Sequence, residues 1–370
     1  MRIFHVGERL LELPERPATL PEQGYLWIGT TREEFEAEVP QIQASLQRWT
    51  GAPLVDLHIS DLLNRQLPSH FDYTSTYDVL VFRRLAAGVG SAELFTDEAA
   101  GTLAVARQVL DAIDTSPVGF VRFDRVLLTV HPAECQVREF FIARLAQTAR
   151  AAPDARVEGR GASSRLPTSP ADQMLRMVNH MVDGYLELRR LLTRQLGYLQ
   201  HELLRPHGQF RGWRVLLDSR NALHLLEDIC EDQRSAVQEW IDALEEWPAP
   251  ADEQSFRERE LLSVRSRDVL EHIERVLSHV RRLESSAETA VQMHFSVQSN
   301  RANNIMRTLT VLTAIFLPLN LITGFFGMNF DALPLIHSTT GVWIALGVMA
   351  VIGLGLALFF WRKRYLESSH

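Results

Sequence analysis

The sequence predicts an α+β soluble region, in which an α/β N-terminal part precedes long coiled-coil-like helices, followed by two C-terminal transmembrane helices. Three observations predict it. Short β-rich runs alternate with helical stretches through about residue 160, no glycine or proline interrupts the 67 residues between Pro250 and Pro318, and two long uncharged runs close the chain. The expected divisions are an α/β domain at 1–160, a helical domain with a stalk helix at 161–300, stalk continuation and first span at 301–326, an outer loop at 327–340, a second span at 341–361 and a basic tail at 362–370.

In the first division Tyr25–Ile28, Asp78–Phe82, Val118–Phe123 and Val126–Val130 read as strands, and Arg32–Trp49 and Ala99–Ile113 as helices. Ala151–Pro170, rich in Ala, Arg, Ser, Gly and Pro, reads as a linker. Beyond it Met174, Val178, Met181, Tyr185, Leu188, Leu192, Gln195 and Leu199 follow a coiled-coil spacing that one polar residue interrupts. Pro206-His207-Gly208 ends that seam, and a second helix runs from Trp213 to Glu246 before Trp247-Pro248-Ala249-Pro250.

A single helix between Pro250 and Pro318 would span roughly 100 Å at a 1.5 Å rise per residue, too long for one small domain. Val269, Ile273, Val276, Val280, Leu283, Ala287 and Ala290 keep a heptad register along it. It is therefore expected to pack lengthwise against helices of its own chain or of neighbouring subunits.

Charge and cysteine content narrow the setting. From Arg301 onward there are five basic and two acidic side chains, so of the net −8 the first 300 residues account for −11. An acidic surface disfavours nucleic acid and attracts cations. Cys135 and Cys230 stand alone, without the spacing of a disulfide framework or zinc finger. The N-terminal run lacks an apolar stretch of signal-peptide length, so the soluble region is expected in the reducing cytosol.

Leu309–Phe326 and Gly341–Trp361 are uncharged and close to the ~20 residues that cross a bilayer core. Arg301 and Arg307 precede the first, Arg362-Lys363-Arg364 follows the second, and the loop between them carries only Asp331 and His337. Positive residues mark the cytosolic side, which places both termini inside and the loop outside. On the first span Asn303, Met306, Thr310, Thr313, Leu317, Asn320 and Gly324 recur at 3-4 spacing and share one face. Such a stripe is either a helix-helix contact or the lining of an aqueous path, which a mid-span amide favours. Two spans per chain enclose no path, so a lining requires a symmetric oligomer.

At the end of this span stands Gly324-Phe325-Phe326-Gly327-Met328-Asn329-Phe330. Here the sequence resembles the CorA family of divalent-cation channels and transporters, whose mark is Gly-Met-Asn at this position. The similarity runs back through Ser299-Asn300-Arg301, Asn303, Met306, Leu309-Thr310 and Ile315-Phe316-Leu317-Pro318 and forward to the basic tail. The resemblance implies a funnel-shaped homopentamer in the inner membrane. Gly327, Met328 and above all Asn329 would receive the hydrated ion at the outer mouth. Asn303, Met306, Leu317, Asn320 and Gly324 would line the path, with Met306 and Leu309 at its narrow neck, and cytosolic divalent cations would hold it shut.

Two departures stand out. Many members read Met-Pro-Glu-Leu in the outer loop, whereas this chain reads Leu333-Pro334-Leu335-Ile336, which leaves Asp331 as the only loop carboxylate. Asn320 occupies a position where members often carry threonine. Mg2+ is the first expected ion, with Co2+ and Ni2+ beside it, and a Zn2+ transporter or weakly selective channel has the same architecture.

Further residues carry metal-ligating chemistry. His224, Asp228 and Glu231 share a face of the second long helix as a candidate regulatory metal site, against the commoner reading of a solvated acidic face. His294 and His337 are candidate soft-metal contacts, although a lone histidine is usually structural. No phosphate-binding loop, HExxH or GxSxG appears, so no enzyme activity and no cofactor beyond the divalent cation itself are expected. The expected partners are further copies of the chain, membrane lipid and divalent metal ions. A non-transporting membrane sensor or scaffold is the rival reading, and a plain anchor has no need of Asn320.

Overall fold

The computed structural model describes residues 1–87, 113–133, 136–151, 166–203, 212–248, 252–328 and 339–363. They divide into two compact units, Met1–Glu288 and Thr289–His370. The strands of the first unit are β1 (Arg2–Val6), β2 (Leu10–Leu13), β3 (Tyr25–Thr31), β4 (His70–Tyr73), β5 (Asp78–Arg83), β6 (Ala86–Ala87), β7 (Ile113–Asp114), β8 (Pro117–Arg122) and β9 (Val126–His131). Seven of them form one sheet in the order β2-β1-β3-β9-β8-β5-β4, and β6 pairs with β7 separately. Among the described strands only β3 and β9 run parallel, which makes this an α+β sheet.

Alternating side chains of one strand enter two different cores. Leu26, Ile28, Leu128 and Val130 pack with Phe35, Leu46 and Leu62 from α1 (Arg32–Thr50) and α2 (Asp56–Leu63). Tyr25, Trp27, Phe120 and Leu127 face the other way, toward α3 (Val137–Ala151), α4 (Pro170–Asp183), α5 (Tyr185–Leu203), α6 (Trp213–Glu246) and the first part of α7 (Glu253–Phe326). A sheet covered on both faces explains why its central strands are unbroken apolar runs.

Local signals set the helix ends. Thr31 and Glu34 form a capping box at the start of α1, and Gly51 ends it at φ 79°, a left-handed turn that suits glycine. Ser169 caps α4, whose first residue is Pro170. Asp252 accepts the Ser255 amide at 2.7 Å at the start of α7.

The three long helices pack in a fixed register. α5 runs parallel to α7, with Thr193 near His279 at 3.3 Å and Gln200 donating to Ser286 at 2.9 Å. α6 runs antiparallel to α7, with Trp240 donating to Ser266 at 2.9 Å and Arg220 to Glu288 at 2.8 Å. All eight expected seam residues from Met174 to Leu199 are buried, as are those from Val269 to Ala290. Through Ala287 the second set belongs to the core of its own chain.

Three expectations are corrected. Ile113, expected at the end of a helix, pairs with Ala87 in β7, where its β-branched side chain suits extended backbone. The rest of that stretch lies outside the described residues. The linker is bounded differently, since Ala151 still belongs to α3 and Pro170 opens α4, while 152–165 lie outside the described residues. The seam beginning at Met174 is two helices, divided at Gly184, whose right-handed backbone lets the register continue.

Candidate functional site

The second unit contains the end of α7 and α8 (Thr339–Arg362). Both helices have segments long and apolar enough to cross a membrane, and only 6% of each most apolar 18-residue window is buried within the chain. A core helix of a soluble protein would bury most of that surface, whereas these helices carry apolar faces that the described residues of the chain leave uncovered.

From Arg301 to Thr310 the whole circumference of α7 is exposed. Beyond it one face packs and the other does not. Val311 is 2% exposed, and Ile315, Pro318, Leu319, Ile322 and Phe326 are partly buried on the same side. Leu319 lies beside Gly353 of α8, where an added β-carbon would sit 3.7 Å from Leu319 Cδ1. At 3.6 residues per turn, Thr313, Leu317, Asn320 and Gly324 fall at the centre of the opposite, exposed arc. Asn303, Met306, Leu309 and Thr310 are exposed as well, in the segment where every residue is.

The threonines of the stripe turn their hydroxyl hydrogens inward. Thr310 Oγ1 donates to the Met306 carbonyl at 2.8 Å and Thr313 Oγ1 to that of Leu309 at 2.9 Å. Each hydroxyl oxygen then keeps lone pairs directed outward, so the stripe presents acceptors without carrying charge. Pro318 cannot donate to the carbonyl of Ala314, and α7 continues through it.

Gly327 closes α7, its amide bonded to the Thr323 carbonyl at 2.9 Å, and Met328 bonds back to Phe325 at 3.4 Å. A β-carbon at Gly327 would lie 2.9 Å from that same Thr323 oxygen, whereas one at Gly324 would meet nothing within 4 Å. The glycine of the Gly-Met-Asn motif thus has a backbone reason, and for Gly324 none shows among the described residues. Asn329, Asp331 and His337 lie outside the described residues. His294 is partly buried, edge-on to Phe295 at 6.1 Å.

In the first unit the structure sorts the expected acidic face differently from its helical spacing. His224 Nε2 meets Glu284 Oε1 of α7 at 3.0 Å, and Glu227 stands close by, while Glu231 pairs with Arg281 and Asp228 is exposed. The Arg281 guanidinium bonded to Glu227 at 2.6 Å holds that carboxyl below the usual range. Spacing along one helix could not find Glu284, because only the antiparallel register brings it from α7 to His224, whereas Glu227 belongs to the same acidic run as Asp228 and Glu231 and stands where those two were expected. Burial pushes the Cys230 thiol up to about 12, so this residue offers no thiolate at neutral pH.

Comparison with known proteins adds to this geometry. A family described as CorA-like Mg2+ transporter protein matches residues 52–364. The cobalt/magnesium transport protein CorA of Thermotoga maritima is 26% identical over 197 residues, 53% of each chain. The magnesium transport protein CorA of Haemophilus influenzae is 31% identical over 101 residues, 27% of this chain and 32% of that one. The matched regions thus span about half or less of these relatives' lengths. The structure of the CorA magnesium transporter from Methanocaldococcus jannaschii superposes with a TM-score of 0.69 at 18% identity, covering 98% of this chain and 97% of that one, a likeness of fold. A soluble unit of mixed sheet and long helices, two apolar C-terminal helices and a family match over most of the sequence lead to one conclusion: the chain belongs to the CorA-like Mg2+ transporter family.

Proposed function

We propose that the chain assembles as a homopentamer in the inner membrane, with both termini cytoplasmic, and conducts hydrated divalent cations along an axis lined by α7. Mg2+ is the first ion, with Co2+ and Ni2+ beside it. Gly327, Met328 and Asn329 form the outer mouth, and Asn303, Met306, Leu309, Thr310, Thr313, Leu317, Asn320 and Gly324 line the path. Asp331 is the loop carboxylate that draws cations toward the mouth.

The observation that carries this reading is the exposed stripe of acceptors opposite the face that packs on α8. A hydrated Mg2+ gives up its waters reluctantly and presents their hydrogens outward. Hydroxyl and amide oxygens receive those hydrogens without replacing the shell. Two helices per chain leave the stripe unpaired, and like copies around an axis would complete it.

The acidic first 300 residues, at −11, supply the gate. Facing acidic surfaces of neighbouring subunits repel, and bound divalent cations offset the repulsion and hold the closed arrangement. Chelation should raise both conductance and protease sensitivity of the soluble helices.

Purified protein in liposomes, assayed for Mg2+, Co2+, Ni2+ and Zn2+ entry with and without a pH gradient, tests the reading, with native mass spectrometry for stoichiometry. Mg2+ flux through a pentamer is expected. Zn2+ flux that requires the pH gradient, without Mg2+ flux, would make it a zinc transporter of the same architecture. No flux of any ion would leave a membrane sensor or scaffold.

A further inference from the structure

A ladder of polar contacts joins α6 to α7. Arg220 meets Glu288 at 2.8 Å, His224 meets Glu284 at 3.0 Å, and Arg281 reaches Glu227 at 2.6 Å and also Glu231. At the outer rungs a guanidinium answers carboxylate. The middle rung has only an imidazole, which carries charge only when protonated. Glu227, one helical turn from His224, completes the group, and ligand atoms of His224, Glu227 and Glu284 all lie within 4.8 Å of one another.

The two carboxylates of this group are partly withdrawn from water, with Glu284 16% and Glu227 21% exposed. Like charges held this close repel each other unless a cation lies between them. Arg281 is shared between Glu227 and Glu231, so three carboxylates with one guanidinium leave the seam short of positive charge. The adjacent imidazole decides which cation suits it.

We propose that His224, Glu227 and Glu284 form a binding site for a divalent transition metal of the zinc, cobalt or nickel class, which ties α6 to α7. One imidazole and two carboxylates from two helices are a common donor set for such ions, with water in the remaining position. In a tetrahedral zinc site with bonds of about 2.0–2.2 Å the donor atoms stand about 3.3–3.6 Å apart. The His224–Glu284 separation of 3.0 Å is already close to that spacing. Mg2+ prefers an octahedron of oxygens and keeps its waters, so the imidazole selects against it. Arg281, bonded to one oxygen of Glu227, orients that carboxylate from outside the ligand set. The site requires nothing of the conduction path, and binding tests it whether or not the chain transports.

The test uses the full-length chain in detergent, stripped with a chelator and titrated with Zn2+ by calorimetry and with Co2+ by visible absorption. The wild type should take up one more Zn2+ per chain than His224→Ala or Glu284→Gln. Loss of a direct ligand should weaken binding by at least the roughly 10–100-fold that loss of an outer partner costs. The ligand-field bands of bound Co2+ should change in His224→Ala. Glu288→Gln, which removes the neighbouring ion pair and no ligand, should bind as the wild type does. Equal Zn2+ stoichiometry and affinity in wild type, His224→Ala and Glu284→Gln would overturn the site, as would an equal loss in Glu288→Gln. Mg2+ competing as well as Zn2+ would overturn the transition-metal assignment.

Discussion

Gly327 and Thr323 are locked together at the end of α7: the Thr323 carbonyl accepts the Gly327 amide at 2.9 Å, and a β-carbon on Gly327 would sit 2.9 Å from the same oxygen. Gly327→Ala must therefore move backbone just before Met328, at a strain of about 1–3 kcal/mol. Gly347→Ala on α8 places its methyl in open space among the described residues. The expected result in liposomes, at matched protein levels, is about a tenfold loss of Mg2+ uptake for Gly327→Ala and a change within about twofold for Gly347→Ala, since about 1.4 kcal/mol is a factor of ten. Equal effects of the two would remove the backbone argument for the motif's glycine.

Thr313→Val keeps the shape of an exposed side chain and deletes an outward acceptor, and Asn320→Leu deletes the amide. One hydrogen bond is worth about 0.5–1.5 kcal/mol net, and in a symmetric pore each loss recurs in every subunit. Mg2+ flux should fall by roughly an order of magnitude in both variants while native mass spectrometry still shows the assembly. Thr308→Val is the control, because Thr308 bonds the Asn304 carbonyl at 3.0 Å in the same manner but lies off the stripe. Asn329→Ala should abolish uptake with assembly intact, and normal flux in it would end the motif's role in ion reception.

Tyr25 joins the sheet to α4 by donating to Gln173 Oε1 at 2.6 Å, and both residues are buried. Tyr25→Phe keeps the ring and leaves that oxygen without its donor, at a cost of about 1–3 kcal/mol. Adding Gln173→Leu should recover much of the loss, because an apolar pair leaves nothing unsatisfied. Urea midpoints followed by tryptophan fluorescence give both numbers. A double variant as unstable as Tyr25→Phe would show that the amide does more than answer the phenol.

The sequence was readable where packing imposes a period. Tyr25–Thr31, Asp78–Arg83, Pro117–Arg122 and Val126–His131 are almost wholly buried and so stand out as apolar runs. The seam from Met174 to Leu199 stands out because helix-on-helix packing repeats every three or four residues. β2 and β4 left no such mark, since most of Leu10–Leu13 and His70–Tyr73 is not buried. Eight-residue α2 has only His58 and Leu62 buried, too few to show a helical period. At the membrane the stripe was legible because its polar residues contrast with an apolar span, whereas the partners of His224 depend on inter-helix register, which no local pattern records.

His131 sets a pH dependence of stability. It is buried on β9, with Nε2 at 2.9 Å from Thr129 Oγ1, which also accepts the Trp27 indole at 3.0 Å. Burial, aided by the positive charges of Arg138, Arg84 and Arg32, pushes its imidazole down to about 3 from 6.5. The folded protein therefore holds His131 neutral where the unfolded chain takes up a proton. The stabilisation is complete above pH 6.5 and is lost as pH falls, by about 1.4 kcal/mol per unit, until about pH 3, where the folded form protonates too. His180 and His279, also pushed down chiefly by burial, add in the same direction. Between pH 6.5 and 5, above the range where ordinary carboxylates titrate, the urea midpoint should fall for the wild type and fall less steeply for His131→Gln. Identical profiles would mean that the imidazole at this position is protonated in the fold, and that the fully buried environment around Thr129 and Trp27 tolerates its charge.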